Sequence, residues 1–137
     1  MENYLQMHMD KRQIDSISNL GLAHIGDAVF ELLCRRWLCG HGGQNVGKLH
    51  RSTVALVNAQ AQAVFAAHML PLLTEEELAL YRRGKHSHVH AVPKGVTPQE
   101  YAQATGVEAL FGALYLAGKT QRVNQIFVTV MEELHGI

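Results

Sequence analysis

The stretch Asn19-Leu-Gly-Leu-Ala-His-Ile-Gly-Asp-Ala-Val-Phe-Glu-Leu-Leu-Cys-Arg-Arg-Trp-Leu38 decides the fold. Leu22, Ile25, Val29, Leu32 and Leu33 recur at the spacing of one helical face. Asn19 reads as the N-cap, Arg35 and Arg36 suit the last turns, and Gly40, Gly42 and Gly43 end the helix. Asp27 breaks the pattern. It follows Gly26 inside the helix, where an aspartate is disfavoured by propensity and, if buried without a partner, costly.

Outward from this helix the chain is a series of further helices. A second is expected from about Val46 to His68, carried by Leu49, Val54, Leu56, Val57, Val64 and Phe65. Thr74-Glu-Glu-Glu77 is a capping box that opens a third, which stops at Gly84. Residues 85–96 read as a loop. Thr97-Pro98-Gln99-Glu100 starts a short helix, with threonine as the cap and proline at the first helical position. A separate helix follows over Thr105-Gly-Val-Glu-Ala-Leu-Phe-Gly-Ala-Leu-Tyr-Leu116, closed by Gly118, and a last amphipathic one covers about Gln121 to His135. No strand series, internal repeat or interdomain linker is visible. The expectation is a single all-α domain over residues 1–137, with 1–18 as a poorly ordered N-terminal extension.

Composition narrows the function classes. No run approaches the roughly 18 apolar residues of a membrane span, and the first ten residues lack the basic-then-apolar order of a signal peptide. Cys34 and Cys39 fall on different faces of one helix, so no bond between them is expected and a reduced, cytoplasmic setting is the simplest reading. The formal net charge is zero, which argues against a strongly basic nucleic-acid binder. Charge is nevertheless segregated. Between Tyr81 and Gln99 the chain carries Arg82, Arg83, Lys85, His86, His88, His90 and Lys94 and no acid, directly after Glu75, Glu76 and Glu77.

A second acid stands in an apolar, small-residue helix: Glu108 in Val107-Glu-Ala-Leu-Phe-Gly-Ala113. Gly26, Ala28, Ala109, Gly112 and Ala113 allow close helix packing. If the two helices cross there, Asp27 and Glu108 meet, and paired carboxylate oxygens suit magnesium. Spacing alone leaves other readings open. Thr105-Gly-Val-Glu108 is itself a capping-box pattern, so Glu108 can serve a helix start. Asp27 can face solvent or pair with an arginine.

The surroundings of the two acids resemble a known family. Gly26-Asp27-Ala28-Val29 is similar to the signature of the ribonuclease III catalytic domain, and Ala104-Thr-Gly-Val-Glu-Ala-Leu-Phe-Gly-Ala-Leu-Tyr-Leu116 to its second acidic helix. Leu22-Ala-His-Ile-Gly-Asp-Ala-Val-Phe-Glu31, Val46-Gly-Lys-Leu-His50, Ala59-Gln-Ala-Gln-Ala63, Arg82-Arg-Gly-Lys85 and Val92-Pro-Lys94 resemble the short Mini-ribonuclease III branch of that family. The resemblance runs from about Asn19 to the end. It implies an all-helical homodimer without a separate double-stranded-RNA-binding domain. It also implies magnesium-dependent endonucleolytic cutting of double-stranded RNA, with manganese as a substitute, leaving 5′-phosphate and 3′-hydroxyl ends. The implied role is maturation of large-subunit (23S) ribosomal RNA precursors in the cytoplasm, with a ribosomal protein as helper.

Residue by residue, Asp27 and Glu108 fall on two of the family's four acid positions and are the expected catalytic and metal-holding residues. The other two positions hold Ala23 and Thr105, so a reduced site is expected. Glu31, one turn after Asp27, is a supporting candidate behind the ligands, with pairing to Arg35 favoured. The resemblance places Arg82, Arg83, Lys85, His86 and Lys94 on phosphates, and Lys48 and His50 oppose the helix dipole where they stand, which suits an RNA contact while leaving simple surface exposure open. His86-Ser-His-Val-His90 alternates as a zinc site can, but no fourth ligand is near and solvated loop histidines are expected. Two rival readings remain: a non-cutting RNA-binding scaffold of the same fold, and a helical dimerisation or adaptor module.

Overall fold

The structure is a computed structural model and describes residues 1–6, 8–41, 45–87 and 91–136. All regular structure among the described residues is helical, as the periodicity predicts. The expected loose extension is partly drawn into the fold. Asp10 forms a capping box with Gln13 and opens α1 (Lys11–Asp15). Ile14 is buried, and the Met9 amide donates to the Leu116 carbonyl at 2.6 Å.

The deciding stretch becomes α2 (Asn19–His41). Its cap is Ser18 rather than Asn19: the Ser18 hydroxyl accepts from the Gly21 amide at 2.9 Å. Asn19 instead accepts from Arg83 Nε at 2.8 Å, because α5 passes beside it. At the far end His41 stacks on Trp37, ring centroids 3.9 Å apart, and Trp37 meets Phe127 edge-on. Cys34 is buried and Cys39 exposed, both free.

The expected second helix is two helices, α3 (Val46–Val57) and α4 (Ala59–Met69). Asn58 makes the break. Its backbone is extended, its side-chain oxygen accepts from the Ala61 amide at 2.8 Å, and its Nδ2 donates to the Val54 carbonyl at 3.0 Å. One residue thus ends one helix and caps the next. A 3-10 turn (Leu70–Leu72) leads to α5 (Glu75–Lys85), which opens with the expected Thr74–Glu77 capping box.

The two helices expected after residue 97 are one, α6 (Pro98–Leu116), and α7 (Thr120–His135) closes the fold with Gly136 in the left-handed conformation. Thr105 starts nothing: its hydroxyl donates back to the Tyr101 carbonyl at 2.9 Å. The continuity follows from packing. α6 is the central helix, flanked by α2, α4 and α5, and from Ala104 to Leu114 every residue but Glu108 is buried. Around it Phe30 meets Phe65, Phe111 and Phe127 edge-on at 5.0, 5.5 and 6.0 Å. Burying each such ring contributes roughly 1.5–3 kcal/mol.

Candidate active site

The site sits where α2 crosses α6. A methyl group on Gly26 would overlap the Glu108 carbonyl, and one on Gly112 would overlap the Leu22 carbonyl. Only hydrogen fits at either point, so the two backbones touch. That contact places Asp27, the residue after Gly26, beside the Glu108 side chain. The capping role open to Glu108 is removed, since α6 begins ten residues earlier at Pro98.

The two carboxyls interact. Burial first, then a hydrogen-bonding contact with Asp27 and its charge, push the Glu108 carboxyl up to about 8. Asp27 is exposed and gives the pair an open side toward solvent. Gln62 on α4 faces Glu108 from the interior and favours its ionised form. An all-oxygen donor set in which one acid resists ionisation beside another fits a hard divalent cation, whose charge relieves the repulsion. Among the described residues no group of three or more histidines, cysteines or acids gathers as a metal site.

The two substituted family positions add no acid. Ala23 is buried in a small cluster with Ala109 and Ala113. Thr105 is buried with its hydroxyl committed to Tyr101. Glu31 pairs with Arg35 at 2.9 Å.

The basic residues separate into two kinds. Arg83 is half-buried and committed: Nε reaches Asn19, and Nη2 donates to the Ile17 carbonyl at 2.8 Å. It braces α5 against the start of α2. Arg82, His86, Lys94, Lys48 and His50 are exposed, and Lys85 is half-buried. None of these six is in an ion pair among the described residues. Gln60 Nε2 donates to the Gly95 carbonyl at 3.1 Å and ties the loop bearing Lys94 to α4. His88 and His90 lie outside the described residues.

Comparison with known proteins gives this geometry a family. The family model described as Ribonuclease III domain matches residues 20–119. The chain belongs to the ribonuclease III family, a family of endoribonucleases. Within it, the chain is similar to proteins named Mini-ribonuclease 3. It is 44% identical to one from Symbiobacterium thermophilum over 107 residues, 78% of this chain and 82% of that protein. It is 44% identical to another from a Thermoanaerobacter species over 128 residues, 91% and 90% of the two chains. A crystal structure of a Fusobacterium nucleatum protein superposes with a TM-score of 0.79 at 33% identity, covering 88% of this chain and 93% of that one.

Sequence alone leaves Asn58, Gln60 and Gln62 as candidate hydrogen-bonding groups near the site or at a dimer interface, without deciding between them. All three amides stand in a run rich in alanine. The structure separates them: Asn58 caps, Gln60 holds a loop, and Gln62 is buried against Glu108.

Proposed function

We propose that this endoribonuclease cuts double-stranded RNA, with Asp27 and Glu108 holding the magnesium ion it requires and manganese serving as a substitute. The observation that carries this reading is the meeting of the two carboxyls at the glycine crossing of α2 and α6. When bound, the ion supplies positive charge that acidifies a nearby water and balances charge on the scissile phosphate. Asp27 presents its carboxylate on the open side, where the RNA backbone arrives. Glu108, set deeper, would be held ionised by a bound cation, and the two carboxylates would together hold it. Water attacks the phosphorus in line, the bond to the 3′ oxygen breaks, and that oxygen leaves with a proton. The products are a 5′-phosphate and a 3′-hydroxyl.

Arg82, Lys85, His86, Lys94, Lys48 and His50 are the proposed phosphate contacts, suited to a duplex read by shape rather than by base edges. Arg83 supports that surface by bracing it. Glu31, paired with Arg35, supports α2. The proposed substrate is the large-subunit (23S) ribosomal RNA precursor, cut in the cytoplasm by a homodimer with one site per strand and a ribosomal protein as helper. Exposed Leu32, Val54 and Val64 supply apolar surface of the kind a second copy covers.

The test is incubation of the purified protein with a long RNA duplex, with and without magnesium. Discrete magnesium-dependent fragments are expected. Asp27→Asn is expected to abolish cutting while leaving the helical spectrum and duplex binding intact. Undiminished cleavage by Asp27→Asn sinks the assignment. Ala23 and Thr105 at two acid positions favour a second reading, a scaffold that binds duplex without cutting, which predicts binding but no fragments at any magnesium concentration.

A further inference from the structure

Two buried side-chain polar atoms lack a hydrogen-bond partner among the described residues, Tyr81 Oη and Gln62 Nε2. The Tyr81 ring lies against Gly106 within the main core. Gln62 is different. It is 2% exposed, yet its amide faces the Glu108 carboxyl. A primary amide carries two donors and a carbonyl, and burial with a donor unmatched is costly. Its neighbours on α4, Phe65, Ala66 and Met69, fill the interior with apolar groups. A methionine would occupy the Gln62 position at no such cost.

We propose that Gln62 is the positioning residue of the carboxylate pair. Its Nε2–H, unpartnered among the described residues, would donate to one oxygen of the ionised Glu108 carboxylate once a cation is held, leaving the other oxygen to face Asp27. The proposal rests on the two-carboxylate cation site proposed above. Carboxylates that hold metals are themselves held by outer hydrogen bonds, and losing such a partner weakens the site. The need is greatest where ligands are few, as here with Ala23 and Thr105 at two acid positions. Gln62 is well placed for this duty. Asn58 fixes the start of α4 one turn earlier, and Phe65, Ala66 and Met69 anchor the turns that follow.

The test uses the full chain, with manganese(II) as the probe, titrated by the paramagnetic resonance signal of the free ion, beside thermal melts in chelator. Wild type is expected to bind manganese at a site that Asp27→Asn removes. Gln62→Met keeps the volume and deletes the donor. Its melting midpoint is expected to equal or exceed that of wild type, because an unmatched buried donor is gone. Its manganese dissociation constant is expected to rise about tenfold or more, with kcat lowered and KM for duplex unchanged. Manganese bound as tightly by Gln62→Met as by wild type overturns the proposal, whatever happens to the midpoint. If Gln62→Met does not fold, Gln62→Leu is judged by the same criteria, and failure of both to fold assigns the amide to packing and overturns it too. Retention of manganese by Asp27→Asn overturns the underlying site, and Gln62 with it. Binding lost in Asp27→Asn but unchanged in Gln62→Met overturns only the role of Gln62.

Discussion

Gly26 and Gly112 hold the crossing that brings two acids together, and each is intolerant of a single carbon. Gly26→Ala is expected to push α2 off α6, because the obstacle is the Glu108 carbonyl rather than a movable side chain. Overpacking of this kind costs about 3 kcal/mol, which lowers the melting midpoint of a domain this size by roughly 10 °C. A midpoint within a degree or two of wild type, read by circular dichroism, refutes the close crossing. Glu108 makes a different prediction. In chelator it keeps its proton up to about pH 8 in the fold, against an ordinary value of 4.5. Between those values the folded form binds more protons than the unfolded one, so stability falls as pH rises through that window and is flat beyond it. Glu108→Gln has no such proton and is expected to lose this part of the slope. Denaturant melts of both proteins near pH 5 and near pH 8 check it; parallel curves exclude the shifted carboxyl. Asp27 and Glu108 stand out as acids misplaced in apolar helices, but capping or surface pairing explains them equally well without the motifs around them. Gln62 is one of three candidate amides with Asn58 and Gln60, and only its burial separates it from the other two.

Elements were legible where caps are local and obscure where distant residues decide. Thr74 and Glu77 announced the start of α5 because both halves of the capping box lie within four residues. The other partner of Glu77 could not be read: Arg122, forty-five residues on, donates Nε to Oε2 and Nη2 to Oε1, each at 2.8 Å. Nη2 also donates to the Leu72 carbonyl at 2.7 Å. Arg122→Ala leaves a nearly buried carboxylate unpaired and is expected to cost about 3 kcal/mol, measured by urea unfolding. The Arg122 guanidinium and the Thr74 amide hold the Glu77 carboxyl below its usual value of 4.5. Its stabilisation is therefore complete above that value and is lost as pH falls through the lowered one. Arg122→Ala is expected to be less acid-sensitive than wild type; equal sensitivity counts against the pairing. The break at Asn58 was hidden by alanines, which suit a continuous helix as well as two. Thr105-Gly106 misled in the opposite sense. Gly106 admits the Tyr81 ring, and Gly84 comes against the Thr105 carbonyl, so these glycines serve close packing between α5 and α6 rather than a helix end.

At the scale of the molecule, an all-helical domain was legible from periodicity, while its neutral charge pointed away from the substrate that its family suggests. A total of zero is compatible with duplex binding if a few unpaired cations do the work. Arg82→Ala and Lys94→Ala are each expected to lower the slope of log affinity against log salt by about one. Arg83→Ala, whose guanidinium is engaged with Ile17 and Asn19, is expected to lower stability with the slope little changed. Filter binding to duplex RNA across a salt series distinguishes them, and an unaltered slope for both Arg82→Ala and Lys94→Ala removes these residues from the interface. The seam between α2 and α7 offers a practical gain. Trp37 is the chain's one tryptophan. It lies ten residues beyond Asp27, about 15 Å along the helix, set between His41 and Phe127. Its fluorescence follows separation of the last helix and not arrival of RNA at the carboxyl pair. An optical reporter native to the chain thus distinguishes denaturation from ligand capture in one cuvette.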